Sequence, residues 1–214
     1  MTRINYQLKL DELIKKLEQE NRVPRLLMHS CCGPCSSYVI EYLSNYFDMT
    51  IFYFNPNIYP DEEYRLRVQE QKRFIERFPT KYPVSFIEGD YDKERFYEMA
   101  KGHEEDRERG ERCHSCYRMR LSETAKLASE SGFDYFGTTL TISPQKDSMV
   151  LNEIGEELAA QYGVSWLPSD FKKREGYKRS TEISREYDMY RQDYCGCVYS
   201  YRDRQQQKRE MEDK

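Results

Sequence analysis

Several features that mark other protein classes are missing from this sequence of 214 residues. It has no run of the roughly 20 apolar residues that a membrane-spanning helix needs, and residues 1–20 lack the apolar core of a secretory signal. Internal repeats and low-complexity segments are also absent. We therefore expect a cytosolic protein. Thiols are kept reduced in the cytosol, so the seven cysteines are not expected to form a disulfide framework.

An excess of basic residues is lacking as well. Lys plus Arg is 34 and Asp plus Glu is 38, which gives a formal net charge of -4. This balance argues against a non-specific polyanion binder, although a local basic face could still bind nucleic acid. The aromatic residues include one Trp but 19 Tyr. A tyrosine ring with its polar tip suits either stacking on bases or capping a small core.

Short apolar runs alternate with amphipathic segments along the chain. Strands are predicted over residues 25–30, 50–54, 84–87, 135–141 and 164–167. Helices are predicted over 8–20, 38–46, 62–78, 93–101, 115–131 and 147–162, and the part after residue 170 is polar and helical. The alternation predicts an α/β fold with a parallel sheet covered by helices on both faces.

The same pattern predicts how the chain is divided. We expect a helical extension over residues 1–22, an α/β catalytic domain with a helical C-terminal part over 23–202, and a charged tail over 203–214. Reactive and polar residues follow the predicted strands. They are Cys31 and Cys32, then Asn55 and Asn57, Asp90 and Asp92, Ser143 and Lys146, and Asp170. Since ligands of open α/β sheets bind beyond the carboxyl ends of the strands, an active site is predicted there.

The cysteines form three groups. They are Cys31-Cys32-Gly-Pro-Cys35, Cys113-His-Ser-Cys116 and Cys195-Gly-Cys197. The first and second groups could together supply a four-thiolate site, which suits zinc or an iron–sulfur cluster, and spacing alone does not separate the two metals. A structural zinc site is disfavoured, because the third pair would be surplus to it and the first pair lies at the predicted active-site edge.

The cysteine groups also match other kinds of chemistry. Cys32-Gly-Pro-Cys35 matches the thioredoxin motif, with Cys32 attacking and Cys35 resolving, but this leaves the other cysteines unexplained. Cys195 and Cys197 would close a strained, easily reduced disulfide, so they are either a redox couple or two further metal ligands. ATP-dependent tRNA thiolation would need a Gly-rich phosphate loop after the first strand, and the loop there has one Gly.

Six motifs in order resemble the QueH family of epoxyqueuosine reductases. They are Cys-Cys-x-Pro-Cys (31–35), Tyr-Phe-Asn-Pro-Asn-Ile (53–58), Arg-Cys-x-x-Cys-Tyr-x-x-Arg-Leu (112–121), Thr-Thr-Leu-x-x-Ser-Pro (138–144), Asp-Phe-Lys-Lys-x-x-Gly-Tyr (170–177) and Tyr-Arg-Gln-x-Tyr-Cys-Gly-Cys (190–197). Each motif alone is modest, but the ordered set is specific and spans residues 25–200. Gln145 departs from the pattern, since an aromatic residue is expected there.

The resemblance implies a fold, an activity and a cofactor. It implies a HUP-like, Rossmann-like fold, a [4Fe-4S] cluster and the last step of queuosine biosynthesis, in which epoxyqueuosine in the tRNA anticodon loop becomes queuosine. The implied cluster cysteines are Cys31, Cys32, Cys113 and Cys116, with Cys195 and Cys197 as the redox-active pair. A second iron beside the cluster is also implied, and an electron donor that the sequence does not identify is needed.

Further site residues follow from the chemistry. Removing an epoxide oxygen takes two electrons and two protons, and the oxygen needs a Lewis-acidic iron or a general acid as its charge develops. Asp90 is the candidate for the acid, with Tyr91, Asp92 and Lys146 at the same sheet edge. Substrate contacts are expected from Tyr117, Ser143, Lys146, Lys172, Lys173 and Arg191. Residues flanking the motifs could stack on bases, namely Tyr59, Tyr64, Tyr117, Tyr177 and Tyr194. A basic stretch is predicted to contact phosphates, or else to be a solvated helix face, and comprises Lys172, Lys173, Arg174, Lys178, Arg179 and Arg185.

Overall fold

Five parallel strands form the centre of the computed structural model, which describes residues 4–212. The strands are β1 (Arg25–His29), β2 (Asp48–Tyr53), β3 (Val84–Glu88), β4 (Tyr135–Thr138) and β5 (Ser165–Trp166). Their order across the sheet is β3-β2-β1-β4-β5, and every neighbouring pair is parallel. This is the strand order of a Rossmann-like sheet. The chain adds β2 and β3 on one side of β1 and then β4 and β5 on the other side, so the order of addition reverses between β1 and β4. The predicted HUP-like α/β fold is confirmed.

Helices cover both faces of the sheet. They are α1 (Tyr6–Gln19), α2 (Gly33–Leu43), α3 (Asp61–Arg77), α4 (Lys93–Ala100), α5 (Glu111–Glu130), α6 (Ser148–Tyr162), α7 (Gly176–Glu186) and α8 (Val198–Glu212). Residues of β1 alternate between the two resulting cores: Leu27 packs with α5 and α6, whereas Leu26 and Met28 pack with α1, α2 and α7. This alternation follows from the two-residue period of a strand.

Two helices begin about one turn earlier than predicted, and both carry cysteines. Helix α2 begins at Gly33 rather than residue 38, because Pro34 is favoured in a first turn and Cys32 Sγ accepts the backbone N–H of Cys35 at 3.4 Å. Helix α5 begins at Glu111 rather than residue 115, so its cysteines lie in the first helical turns. The predictions started where the apolar periodicity starts, and polar first turns do not show that periodicity.

The end of β4 also differs from the prediction. The strand stops at Thr138 rather than residue 141, and a short 3₁₀ helix follows over Thr139–Ile142. The hydroxyl of Thr138 accepts the backbone N–H of Leu140 at 3.2 Å, which turns the chain out of the sheet. The loop after this 3₁₀ helix therefore starts at the sheet edge.

The two ends of the chain are helical. Leu10, Ile14 and Leu17 of α1 are buried in the core beside α2, and residues 203–212 of the predicted tail belong to α8. Residues 1–3 and 213–214, which fall in the predicted extension and tail, lie outside the described residues. The predicted domain bounds stay predictions. Within residues 4–212, no helix combines the length and apolarity required to cross a bilayer.

Candidate active site

A cavity of about 490 Å³ opens beyond the carboxyl ends of β1 and β4, where the strand order reverses. Its wall includes five residues predicted for the site: Cys31, Ser143, Lys146, Arg191 and Cys195. Segments 31–35, 140–146, 177–180 and 191–195 all contribute to the wall. The topology thus brings residues far apart in sequence to one pocket at the sheet edge.

The first cysteine group forms the tightest sulfur cluster. The Sγ atoms of Cys31, Cys32 and Cys35 all lie within 4.8 Å of one another. Hydrogen bonds from Cys32 and Cys35 hold the pKa of Cys31 well below its usual value, whereas burial raises the pKa of Cys32 to about 12. Negative charge in this group therefore concentrates on Cys31. Cys35, which was not in the predicted ligand set, is part of the group because it lies one helical turn after Cys31 and Cys32.

The second cysteine group lies in the first turns of α5. Cys113 Sγ accepts the backbone N–H of Arg109 at 3.3 Å. Cys113 belongs to the same buried cluster as Cys31 and Cys32, whereas Cys116 forms a small cluster with Phe96 and Cys197. Burial raises the pKa of both thiols, that of Cys116 to about 12. The α5 cysteines therefore lie between the first and third groups.

The third cysteine group precedes α8. The backbone N–H of Ser200 donates to Cys197 Sγ at 3.5 Å, and Arg67 Nη1 donates to the carbonyl of Cys195 at 3.3 Å. Gly196 between them has φ +132°, and a Cβ there would lie 3.2 Å from Arg67 Nη1, so the position requires glycine. All seven cysteines are free thiols in this structure.

One buried arginine links the three groups. Arg120 is 2% exposed and donates from Nε to the carbonyl of Cys116 at 3.3 Å and from Nη1 to Asn55 Oδ1 at 3.4 Å. Burial acts to lower its pKa, but the charges of Cys116, Cys31 and Cys195 raise the pKa above its usual value. The three motifs also meet by packing, because Cys113 lies in one buried cluster with Cys31 and Cys32, and Cys116 lies in another with Cys197.

Lys146 connects the cavity wall to the third group. Its ammonium is buried, donates to Cys195 Sγ at 2.9 Å and lies 3.6 Å from Glu108 Oε1. Burial acts to lower its pKa, but the charges of Cys195 and Tyr117 and the hydrogen bond to Cys195 raise it well above its usual value. Lys146 is therefore a cation held against a sulfur atom.

Tyr117 supplies a second polar group at this place. Its ring lies 5.8 Å from Lys146 Nζ, and the residue is 2% exposed. Its hydroxyl has no hydrogen-bond partner within the described chain, which is costly for a buried polar group. Burial raises its pKa above the usual value, so it is a neutral hydroxyl at pH 7. Tyr117 is not among the described residues that line the cavity, but its ring lies next to Lys146, which does line it.

The structure does not bring every predicted residue to the cavity. Asp90 is exposed after the edge strand β3 and is not among the described residues that line the cavity. It lies apart because β3 is two strands away from β1 in the sheet. The geometry thus lends no support to Asp90 as the general acid.

The basic stretch is mostly paired with carboxylates. Ion pairs join Arg174 to Asp11 at 2.5 Å and Lys178 to Glu175 at 3.3 Å. Arg179 contacts Glu41 at 2.6 Å, and Lys172 contacts Asp170 at 3.1 Å while also donating to the carbonyls of Thr141 and Lys146. Lys173 is exposed. Phosphate contact by this stretch stays a prediction, and most of its members already have an anionic partner.

Sequence reasoning missed the burial of Arg67 and Arg120, two of the arginines that are buried in the described chain. Arg67 is 1% exposed, pairs with Glu63 at 2.7 Å and reaches the third cysteine group. Arg120 stands four residues after Cys116 in the motif over residues 112–121, so one helical turn separates them. This four-residue spacing is the sequence feature that predicts contact between Arg120 and the cysteine site.

Comparisons with known proteins agree on one family. The family model described as epoxyqueuosine reductase QueH matches residues 26–203. Proteins named epoxyqueuosine reductase QueH from Staphylococcus epidermidis and Streptococcus pyogenes are each 44% identical, covering 92% of this chain and 85% and 78% of their own lengths. One from Acinetobacter baylyi is 41% identical, covering 88% of this chain and 85% of its own.

Among solved structures, a predicted subunit of tRNA methyltransferase from Methanocaldococcus jannaschii superposes with a TM-score of 0.48 at 14% identity, over 75% of this chain and 76% of that one. The family model covers most of the chain, and the relatives are similar over nearly all of it. The chain belongs to the QueH family.

Proposed function

We propose that this protein is an epoxyqueuosine reductase, which reduces epoxyqueuosine in tRNA to queuosine. The observation that carries the proposal is the packing of the three cysteine groups beside the cavity: Cys113 packs with Cys31 and Cys32, Cys116 packs with Cys197, and Cys31 and Cys195 line the cavity. Membership of the QueH family supports the same activity. The cytosolic location stays a prediction.

The thiols fit an iron–sulfur cluster. Such a cluster is bound by cysteine thiolates. Cys31 and Cys32 lie close to Cys35, and Cys113 packs in the same buried cluster as Cys31 and Cys32. We propose that Cys31, Cys32, Cys113 and Cys116 hold a [4Fe-4S] cluster, which supplies electrons one at a time when bound. Cys35 would then be a spare sulfur next to the set, available to the second iron that the resemblance implies.

The third cysteine group matches the electron count of the reaction. Converting an epoxide to an alkene consumes two electrons and two protons and releases one water. Oxidation of Cys195 and Cys197 from two thiols to a disulfide releases two electrons and two protons, so one such oxidation balances one turnover. An external donor must then reduce the disulfide. Lys146 holds Cys195 at the cavity wall, which is where the pair would meet the substrate.

Two groups can serve the oxygen that leaves. The ammonium of Lys146 is a charged donor, and the hydroxyl of Tyr117 lacks a partner within the described residues. Either can donate a hydrogen bond as negative charge develops on the epoxide oxygen, and the transfer of a proton from Lys146 Nζ leaves a neutral amine beside Cys195. We propose Lys146 rather than Asp90 as the acid, because Lys146 lines the cavity and Asp90 is not among the described residues that do.

The cavity suits one modified base. Its volume of about 490 Å³ lies in the range of small-molecule pockets. Loop bases of RNA are commonly splayed out when proteins recognise them. Arg191 and Tyr177 are exposed at the cavity wall, where they could meet a phosphate and a base. We propose that the tRNA anticodon loop approaches from this side, with Ser143 contacting the bound base.

The experiment separates cofactor binding from turnover. The protein is purified and reconstituted without oxygen, iron and sulfide are measured, and tRNA carrying epoxyqueuosine is incubated with it and dithionite. Queuosine is then scored by mass spectrometry of nucleosides. We expect a brown protein that bleaches with dithionite and forms queuosine.

Two variants form a matched pair in this assay. Cys116→Ser should lose iron and product together, whereas Cys195→Ser should keep its iron and lose product. A colourless zinc-containing chain without product would indicate a zinc protein. A metal-free chain that reduces insulin disulfides would indicate a thioredoxin-like enzyme. Either result overturns the proposal.

A further inference from the structure

Arg120 is a buried cation without an ion-pair partner among the described residues. Its contacts are the carbonyl of Cys116 and the side-chain oxygen of Asn55, which are dipoles rather than charges. Arg67, another buried arginine, differs because Glu63 pairs with it at 2.7 Å. A charge that is fully buried and unpaired is strongly destabilising, so such groups are normally paired with an opposite charge.

The groups that can balance Arg120 are sulfur atoms. Cys116 lies one helical turn before Arg120 and accepts its Nε–H through the backbone carbonyl, and the ring of Tyr117 lies 5.8 Å from the guanidinium. The charges of Cys116, Cys31 and Cys195 act to raise the pKa of Arg120. Binding to iron converts such thiols to thiolates and adds the missing negative charge.

We propose that Arg120 is the fixed counter-cation of the cluster thiolates and raises the reduction potential of the cluster. This inference rests on the proposed function, because it requires that the cysteines hold an iron–sulfur cluster. Reduction adds one negative charge to the cluster, so a nearby fixed cation stabilises the reduced form more than the oxidised form. Arg120 acts as a positioning residue through its charge, without contacting substrate.

The buried position of Arg120 makes its charge act strongly on the sulfur atoms. Arg120 lies on α5 one turn after Cys116, it is 2% exposed, and water therefore does not screen it from the sulfur atoms. Helix α5 also offers a matched control. Arg118 is 50% exposed and pairs with Glu157, which is 61% exposed, so solvent screens its charge.

The test is a redox titration of reconstituted protein, followed by the visible absorption of the cluster. Arg120→Gln should make one-electron reduction at least about tenfold less favourable, which corresponds to a midpoint potential about 59 mV more negative. Arg118→Gln should keep the wild-type potential. Arg120→Lys retains the charge and should remain closer to wild type than Arg120→Gln.

Three outcomes decide the inference. If Arg120→Gln binds a full cluster at the wild-type potential, or if Arg120→Lys falls as far as Arg120→Gln, the inference is overturned while the proposed function stands. If the wild-type chain binds no reducible cluster, the proposed function fails as well.

Should Arg120→Gln not fold, Asn55→Asp puts a carboxylate at the atom that now contacts Arg120 Nη1. That variant should also shift the potential to more negative values, and an unchanged potential overturns the inference.

Discussion

At the residue scale, the site is defined by how each sulfur atom is supported. Cys31 is the thiol whose neighbours favour its charged form, and its pKa is low because Cys32 and Cys35 donate to it. Cys195 is instead supported by the ammonium of Lys146 at 2.9 Å. One sulfur is thus supported by other thiols and the other by a cation, which suits two distinct tasks, metal binding and electron transfer.

The Lys146 contact leads to a prediction for metal-free protein. Thiolate is the form that reacts with iodoacetamide, and a charge-assisted hydrogen bond contributes about 1.5–3 kcal/mol. Lys146→Met should therefore slow alkylation of Cys195 several-fold, because it removes the cation that contacts this sulfur at 2.9 Å. The rate at this cysteine is measured by mass spectrometry of its peptide. Lys173→Met, which removes an exposed cation from the same sheet edge, should leave the rate unchanged.

An equal rate in wild type and Lys146→Met would show that the ammonium does not activate this sulfur. The sequence predicted Lys146 at the sheet edge because it follows the fourth strand. Its partner Cys195 lies 49 positions away, and only the packing of the segment after α7 brings the two together. Arg120 was missed for a related reason: a lone arginine on a helix is usually exposed, and burial is a property of the tertiary structure.

At the element scale, each cysteine group is attached to a helix N-terminus. Cys32 caps α2, Cys113 lies in the first turn of α5, and Cys197 directly precedes α8. The positive end of a helix dipole favours thiolate at such positions, but burial outweighs it and raises the pKa of Cys32, Cys113 and Cys197. The existence and type of these helices followed from the sequence, but the starts of α2 and α5 did not, because Gly33 and Glu111 lie in polar turns outside the apolar period. Where the three helix ends meet is set by the sheet.

Helix α6 sets the position of Lys146, and its packing leads to a second prediction. Replacing a glycine by alanine in a helix usually stabilises it by about 1 kcal/mol. At Gly155 a Cβ would lie 2.2 Å from Cδ2 of Trp166 on β5, so the sign should reverse. Gly155→Ala should lower the free energy of unfolding by about 1–3 kcal/mol, as overpacking does. Urea denaturation measures the change.

The control for this prediction removes the clash. In a Trp166→Leu background, Gly155→Ala should be neutral or stabilising, because the indole ring is no longer in the way. An equal loss of stability in both backgrounds would contradict the packing account. Comparing the iron content of the wild type, the two single variants and the double variant would also test whether the position of α6 affects the cysteine site.

At the whole-molecule scale, the net charge of -4 does not show which cations can bind RNA, because some are paired with carboxylates and others are not. Arg179 is held by three carboxylates, those of Glu41, Glu182 and Glu186. Arg191 is exposed at the cavity wall and donates to the hydroxyl of Ser184, a neutral partner. The sequence showed a run of basic residues, but the choice of partner for each cation depends on helices that meet only in the folded chain. We therefore expect tRNA contact from the cavity rim more than from the basic stretch.

This distribution predicts how tRNA binding responds to salt. Each protein cation that neutralises a phosphate contributes about one unit to the slope of log affinity against log salt concentration. Arg191→Ala should weaken tRNA binding several-fold at low salt and reduce that slope by about one. Arg179→Ala should change neither quantity, because its charge is already balanced by carboxylates. Fluorescence anisotropy with labelled tRNA over a salt series measures both. Equal losses in the two variants would mean that the basic stretch contacts RNA despite its ion pairs, and the cavity rim would no longer be the preferred approach.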